Sequence, residues 1–285
     1  MNFKQIILSR WAACAGVAGL GVMAVALLSL ALPEGIGVDW LNVYRPASLE
    51  LLKTGNPFRV EGFFNAPWAL LPLIPLALLP ERLGYAAFTV TSLIAFGLAA
   101  YRFKARPLVF GAFLVSPPVL HSLVNGGIDW LPLIGFVLPP QIGLFLALVK
   151  PQMSIVVIPF WLVETWRTGG IRQVFKVFAP VTLALVLSFV AYGLWPLRFG
   201  QEVSLWWNAS LWPTSIPVGL ALAVAAVRQR KLELAMGASP CLSPYVLFHS
   251  WSGALAALLQ SPLEFYAAWI GLWILVAIQA THLIL

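Results

Sequence analysis

Long runs of apolar residues are the feature that most constrains how this chain can fold. Four of these runs cover residues 12–32, 83–101, 174–194 and 263–285. A bilayer offers the backbone no hydrogen-bonding partner, so a segment that crosses it must be a helix or part of a closed barrel. Barrel strands alternate apolar and polar residues, whereas these runs are apolar on every side. The sequence therefore predicts an all-α, polytopic transmembrane protein.

The composition supports the same fold class. Hydrophobic residues make up 61% of the 285 residues, and only 9% are charged. Soluble domains carry roughly 25% charged residues, so this chain has too few charges to cover a globule in water. We expect a single transmembrane domain over residues 1–285, multi-pass in the plasma (inner) membrane. The apolar stretches predict nine to eleven membrane segments, several of them short or broken. In the second half of the chain these segments are residues 153–163, 174–196, 216–227, 244–259 and 263–285.

The net charge of +7 comes largely from cations in three short loops. These loops contain Arg102, Lys104 and Arg106; Arg167, Arg172 and Lys176; and Arg228, Arg230 and Lys231. Basic loops beside apolar spans mark the cytoplasmic side and favour anionic lipids. The sequence therefore predicts membrane lipids as partners and no nucleic acid. By the same rule Lys4 and Arg10 place the N-terminus in the cytoplasm, and the first segment ends outside.

Residues 33–65 form the longest mostly polar stretch, which is predicted to be an extracytoplasmic loop. It contains Glu34, Asp39, Glu50 and Glu61, four of the ten acids in the chain. Within it, residues 46–54 predict a short interfacial helix, because a proline suits the first turn and the following Gly55 can close the helix in a left-handed conformation.

Three apolar segments look too short or too broken for a simple span. Residues 130–138 and 141–149 are roughly ten residues each, below the length that crosses the hydrocarbon core. Such segments usually line a cavity inside a membrane protein. Residues 66–79 contain three prolines. We expect them to dip into the bilayer and return, or to lie tilted near its surface, because a full span would put the basic loop 102–106 outside.

Ionisable residues beside membrane segments are functional candidates. Asp39, Asp129 and Lys150 are all predicted at the outer ends of such segments. Partial dehydration would raise the pKa of Asp39 and let it accept a proton from a hydroxyl; the alternative is a loop acid that caps the next helix. Asp129 follows Asn125-Gly126-Gly127, and it is either a site residue or a helix N-cap.

Lys150 lies between two apolar half-helices, in Val149-Lys150-Pro151-Gln152. Its ammonium could hold a phosphate; the alternative is a snorkelling lysine at a helix end. Arg45 could share that phosphate or simply be solvated in the loop.

The three histidines show no ligand spacing, so no metal site is predicted, and no cofactor is predicted either. His249 could hydrogen-bond a sugar or acceptor hydroxyl, or it could be a core histidine bonded to the backbone. His121 is interpreted as structural, and His282 is given no role.

Several short motifs follow one another between residue 39 and about residue 165. They are Asp39-Trp40, Gly55-Asn56-Pro57-Phe58, Pro67-Trp68, Ser116-Pro117-Pro118, Asn125-Gly126-Gly127-Ile128-Asp129 and Val149-Lys150-Pro151-Gln152. In order and spacing they resemble the bacterial GT-C membrane glycosyltransferases, especially the polyprenyl-phosphate-mannose-dependent α-mannosyltransferases of glycosyltransferase family 87. The chain departs from that family in being shorter, in Gly127 where the family has Gln, and in Trp68 where it has Pro.

The resemblance implies a GT-C-like fold and a hexosyltransferase. The donor would be a polyprenyl-phosphate-linked hexose such as mannose, and the acceptor a lipid or glycan on the extracytoplasmic face. Asp39 would be the general base, and Lys150 with Arg45 would stabilise the departing phosphate without a metal. The residues expected around the sugar or acceptor are Asn125, Asp129, Gln152 and His249.

Two other functions stay open. The short chain and altered motifs also suit a non-catalytic helical subunit that packs against a partner in a larger membrane complex. A transporter or flippase would predict inverted repeats, and the sequence shows none. A lipid-lined groove that reaches a cavity with Asp39 and Lys150 close together would favour the enzyme. A filled cavity and a broad apolar flank in contact with a partner would favour the subunit.

Overall fold

The computed structural model describes residues 20–33, 35–198 and 208–282, and within these ranges every regular element is a helix. Lys4, Arg10 and Glu34, together with most of the predicted first segment, lie outside the described residues. The part of that segment that is described forms an apolar helix, Leu20–Ala31. The prediction of an all-helical fold is thus confirmed for the described chain.

Fourteen helices follow one another along the described ranges. The first seven are α1 Leu20–Ala31, α2 Arg45–Thr54, α3 Ile74–Ala77, α4 Glu81–Arg102, α5 Pro107–Leu114, α6 Pro117–Asn125 and α7 Trp130–Val137. The others are α8 Pro140–Ala147, α9 Pro151–Ser154, α10 Val157–Tyr192, α11 Ile216–Gln229, α12 Leu232–Cys241, α13 Ser252–Ala256 and α14 Pro262–His282. A π-helical turn, Trp40–Tyr44, leads directly into α2.

The predicted helix at 46–54 is present as α2. It has a proline in its first turn and ends at Gly55, whose φ of 76° is left-handed and whose N–H donates to the Leu51 carbonyl. Glycine adopts this conformation without steric penalty, which explains why the helix stops there.

The prediction of nine to eleven membrane segments is not supported. Among the described residues, only α4, α10 and α14 are long and apolar enough to cross a membrane. A fourth span results if α5 and α6, which meet at a 43° bend, are counted together. Prolines explain much of the difference, because Pro117 and Pro140 begin new helices and disfavour helical geometry at the residue before them.

Three predicted segments differ from the structure. The separate segments 153–163 and 174–196 largely fall in one long helix, α10, which bends at Gly169 and Gly170. Gly170 has φ 60° and ψ −155°, a conformation that few other residues adopt. The predicted helix 244–259 is instead a non-helical stretch, a 3-10 turn Phe248–Trp251 and the short α13.

Residues 66–79 do not form a continuous helix. They contain a 3-10 turn, Pro67–Leu70, and the single-turn α3. Neither element has the length needed to cross a bilayer. This agrees with the prediction of a segment that is broken by its prolines.

A tight hairpin of two equal helices organises the centre of the fold. The helices α7 and α8 have eight residues each and pack through facing glycines. A Cβ on Gly135 would lie 2.9 Å from the Gly143 carbonyl oxygen, so only glycine permits this approach. Because the two helices are antiparallel and equal in length, the start of α7 and the end of α8 lie side by side. This geometry brings Asp129 and Lys150 together across 21 positions of sequence.

The long helix α4 separates two ends of the molecule. Near its start, the Tyr85 hydroxyl donates to the carbonyls of Leu123 and Val124, just before the Asp129 region. At its far end, Arg102 contacts the Val137 carbonyl at 3.5 Å, at the turn of the α7–α8 hairpin. Seventeen residues of helix separate Tyr85 from Arg102, or about 26 Å.

The other two basic loops lie at the same end as Arg102. Trp161 in α10 packs against Phe136 of the α7–α8 hairpin, with ring centroids 6.2 Å apart. One to two turns further along α10, Arg167 donates to the Val227 carbonyl at the end of α11, at 2.6 Å. All three cationic loops therefore lie at the end opposite Asp129 and Lys150.

Candidate functional site

A buried ionic cluster lies where three distant parts of the chain meet. The Lys150 Nζ atom is 3.0 Å from each carboxylate oxygen of Asp129 and 3.0 Å from Nε2 of His249. Asp129 is 0% exposed, and Lys150 and His249 are each 2% exposed. All three ammonium hydrogens are therefore directed at protein partners.

Two serine hydroxyls complete the surroundings of the Asp129 carboxylate. Ser250 donates to Oδ1 at 2.8 Å and Ser122 to Oδ2 at 3.3 Å. Burial alone would raise the pKa of Asp129, but the charge and hydrogen bonds of the Lys150 ammonium, together with the Ser250 hydroxyl, lower it below its ordinary value. Asp129 is consequently ionised, and the pair is a buried salt bridge.

The protonation of His249 follows from its partners. Burial lowers the pKa of His249 to about 3, although the Asp129 carboxylate opposes this shift. The neutral ring must accept at Nε2, because a lysine ammonium can only donate. Its hydrogen is then on Nδ1, which lies 3.2 Å from Nδ1 of His121.

A directed chain of hydrogen bonds therefore runs from the buried Lys150 through His249 to His121. The His121 side chain lies at the exposed end of this chain. Asn125 supports that end by donating from its side-chain amide to the His121 carbonyl at 2.9 Å. These hydrogen bonds connect the fully buried charge of Lys150 to the molecular surface.

Asp39 lies beside this cluster in the segment that packs on the end of α6. The Gly37 N–H donates to the Val124 carbonyl at 2.7 Å. A Cβ on Gly126 would lie 2.5 Å from the Cβ of Trp40, so the backbones touch at this point. Asp39 is partly buried, and its carboxylate has no hydrogen bond to any other described residue.

The environment of Asp39 prepares it to accept a proton. Removal of water raises the pKa of its carboxyl to about 6; the Lys150 ammonium opposes this rise, and the Asp129 carboxylate adds to it. Because the neighbouring Trp40 touches Gly126, three residues before Asp129, Asp39 lies beside the buried salt bridge. A carboxylate with a pKa near 6 and free oxygens has the properties of a general base at neutral pH.

Several alternatives to a site role are excluded by these contacts. Neither Asp39 nor Asp129 caps a helix through its side chain. Lys150 is enclosed, so it does not snorkel. His249 bonds to other side chains instead of to the backbone.

Two of the residues expected at the site lie apart from the cluster. Arg45 contacts the Leu79 carbonyl at 3.4 Å and Glu81 at 3.8 Å, near the start of α4. Gln152 lies in α9, two residues after Lys150, and makes no hydrogen bond to the cluster within the described residues. Conversely, the interpretation of His121 as purely structural missed its contact with His249, and Ser122 and Ser250 were not singled out.

The occupied ammonium limits what the cluster can bind. A phosphate could use the charge of Lys150 only by displacing Asp129 or His249, or by bonding to the far end of the histidine chain. Removing either partner of a buried ion pair leaves an uncompensated charge, which typically costs about 3–5 kcal/mol. Each charge of the pair therefore depends on the other for its compensation.

Comparison with known proteins identifies no family for the chain. No protein-family model matches the chain, and neither a curated protein nor a solved structure matches it. The likeness to GT-C glycosyltransferases thus depends on the motifs in the sequence itself.

Proposed function

We propose that the chain is a GT-C-like membrane glycosyltransferase. It moves a mannose-like hexose from a polyprenyl-phosphate donor to a lipid or glycan acceptor at the extracytoplasmic face of the plasma membrane. The observation that carries the proposal is the position of Asp39, a partly buried carboxylate with no hydrogen bond to another described residue, on the segment that packs against Gly126 beside the Asp129–Lys150 pair.

Asp39 is the general base of the proposed reaction. It takes the proton of an acceptor hydroxyl while that oxygen attacks the anomeric carbon of the donor sugar. The bond between the anomeric carbon and the phosphate oxygen breaks, and its electrons leave with polyprenyl phosphate. No metal is needed if protein groups stabilise the departing charge.

The histidine chain is the proposed route by which Lys150 acts on that charge. Because the Lys150 ammonium polarises His249, and His249 in turn donates to His121, a phosphate at His121 meets hydrogen-bond donors oriented outward. Asn125 holds His121 in place. Arg45 joins only if it releases Glu81, and Gln152 is proposed to line the acceptor side.

The distribution of basic loops supports the orientation of the site. All three loops lie at the end of the molecule opposite Asp129 and Lys150. Cytoplasmic loops carry the excess of Lys and Arg in membrane proteins. This distribution supports a site on the extracytoplasmic side, where polyprenyl-phosphate sugars serve as donors in the resembled family.

The direct test is sugar transfer by the purified full chain with labelled polyprenyl-phosphate hexoses. We expect Asp39→Asn to lower the rate about 10²- to 10⁴-fold, the usual contribution of a positioned base. Glu61→Gln is the matched control, since it neutralises an exposed acid of the same loop region and should leave the rate unchanged. Transfer that is insensitive to Asp39→Asn would remove the assigned base.

A second candidate is the non-catalytic subunit of a membrane complex. It is favoured by the complete pairing of the Lys150 ammonium and by α14, which is almost entirely exposed along its length. A stoichiometric membrane partner that co-purifies with the chain, combined with no transfer from any donor, would establish this function instead.

A further inference from the structure

A shallow groove runs along the outer face of α11, far from Asp39. It is lined by Ala221, Val224, Ala225, Arg228 and Gln229. The first three are apolar, and Val224 is 57% exposed. The groove therefore has an uncovered apolar floor and a polar, cationic end.

The cationic end of this groove belongs to a larger basic patch. The patch consists of Arg167, Arg172, Lys176, Arg228, Arg230 and Lys231. Within the described segments 164–176 and 228–233, the acids are Glu164 and Glu233, so six cations and two acids give a net charge of +4.

One contact fixes the groove to the patch. Arg167 donates to the Val227 carbonyl at 2.6 Å and so joins the bend of α10 to the last turn of α11. Glu164 is already engaged by Arg167 at 2.7 Å and by Arg230 at 3.8 Å.

Two cations at the C-terminal end of α11 are left without compensation among the described residues: Arg228 lines the groove, and Lys231 follows the helix by two residues. Within the described ranges, neither Arg228 nor Lys231 has a carboxylate partner, and both side chains are exposed. They are available to a negatively charged ligand.

We propose that this groove binds one anionic phospholipid. The headgroup phosphate contacts Arg228 and Lys231, and an acyl chain lies along Ala221, Val224 and Ala225. The small alanine side chains allow close approach, and basic pockets beside membrane helices recognise anionic headgroups. A ligand with one charged end and one apolar tail matches this surface better than free phosphate does, because free phosphate would leave the apolar floor uncovered.

The experiment is native mass spectrometry of the full chain in detergent, with added phosphatidylglycerol or phosphatidylcholine. We expect the wild-type protein to retain phosphatidylglycerol preferentially. Each cation near a charged headgroup changes binding about fivefold, so Arg228→Gln with Lys231→Gln should weaken retention by about 25-fold. Lys104→Gln, which removes an exposed cation from a different basic loop, is the control and should change nothing.

A second variant distinguishes a lipid bound in the groove from a lipid held near the surface by electrostatic attraction alone. Ala221→Phe fills the groove and keeps every cation, and it should also reduce phosphatidylglycerol retention. Equal retention of both lipids, or equal losses in Lys104→Gln and in the double variant, would overturn the proposal. The proposal would also be rejected if the double variant lost phosphatidylglycerol but Ala221→Phe retained it. That result would show a diffuse electrostatic attraction. None of these outcomes depends on sugar transfer.

Discussion

Asp39 is a carboxylate partly shielded from water, and its environment determines how the proposed activity depends on pH. A general base acts only when unprotonated, and burial raises the pKa of Asp39 to about 6. Transfer should therefore be low at pH 5, rise as the pH passes about 6, and level off above about 7. Rates of wild-type protein across this range measure the effect. A flat profile would mean that another group accepts the proton.

The same shift makes a prediction about stability. The folded pKa lies above the ordinary value of 3.8, so the contribution of Asp39 to stability is full below pH 3.8 and is lost as the pH rises through about 6. Replacing it by Asn removes this loss, and Asp39→Asn should be more stable than wild type at pH 8 by up to about 3 kcal/mol. Thermal unfolding in detergent, with Glu61→Gln as reference, tests this. A destabilised Asp39→Asn would show that the carboxylate is well solvated or well paired.

The Asp129–Lys150 pair carries a different prediction, because both groups are buried. Lys150→Met leaves a buried carboxylate alone and should destabilise the fold by about 3–5 kcal/mol. Adding Asp129→Asn removes that charge, so the double variant should recover most of the loss. Both variants are compared by thermal unfolding. Simple additivity of the two single changes would contradict direct pairing.

Sequence reasoning identified Asp39, Asp129, Lys150 and His249 because charged or titratable residues are conspicuous in so apolar a chain. It could not predict which of these residues contact one another. The contact between His249 and Lys150 spans 99 positions and depends on which apolar segments pack together, a choice with no local signal. Ser250 was missed for the same reason, since a lone serine becomes informative only once Asp129 lies beside it.

At the scale of elements, the turn after α6 holds Asp39 in place. Gly126 has φ 75°, and a Cβ there would meet the Cβ and backbone nitrogen of Trp40 at 2.5 and 2.9 Å. Gly126→Ala should therefore displace the segment around Asp39 and reduce transfer at least tenfold. Gly55→Ala is a matched control, because Gly55 has φ 76° and no atom within 4 Å of the added Cβ. Both variants share the cost of left-handed alanine, about 1–2 kcal/mol, so the difference in transfer isolates the contact with Trp40.

Helix positions were easier to predict than membrane crossings. The bounds of α2, α4, α7 and α11 lie within a few residues of the prediction, because proline, glycine and apolar runs act locally. The number of spans was overestimated because hydropathy cannot tell a helix that crosses lipid from one that is covered by protein. The α7–α8 hairpin is as apolar as a span, yet each arm is about 12 Å long and packs inside the molecule.

At the scale of the whole molecule, the separation of charge defines a testable orientation. The cluster and the loop 56–64 lie towards one end, since Asn65 donates to the Val149 carbonyl next to Lys150 at 2.8 Å. The basic loops lie at the other end, and the positive-inside rule assigns that end to the cytoplasm. In a variant with Cys14 and Cys241 replaced by Ala, Glu61→Cys should react with a membrane-impermeant maleimide in intact cells. Arg106→Cys and Lys231→Cys should react only after permeabilisation.

The cysteine-free parent controls for background labelling. If Arg106→Cys or Lys231→Cys reacts in intact cells and Glu61→Cys does not, the protein has the opposite orientation. Asp39 would then face the cytoplasm, and a donor presented outside the cell could not reach it. The proposed transfer requires Asp39 to face the outside of the cell. Because α4 separates the end with the cations from the end with Asp39, the labelling pattern reports the orientation of both ends. The test needs no substrate.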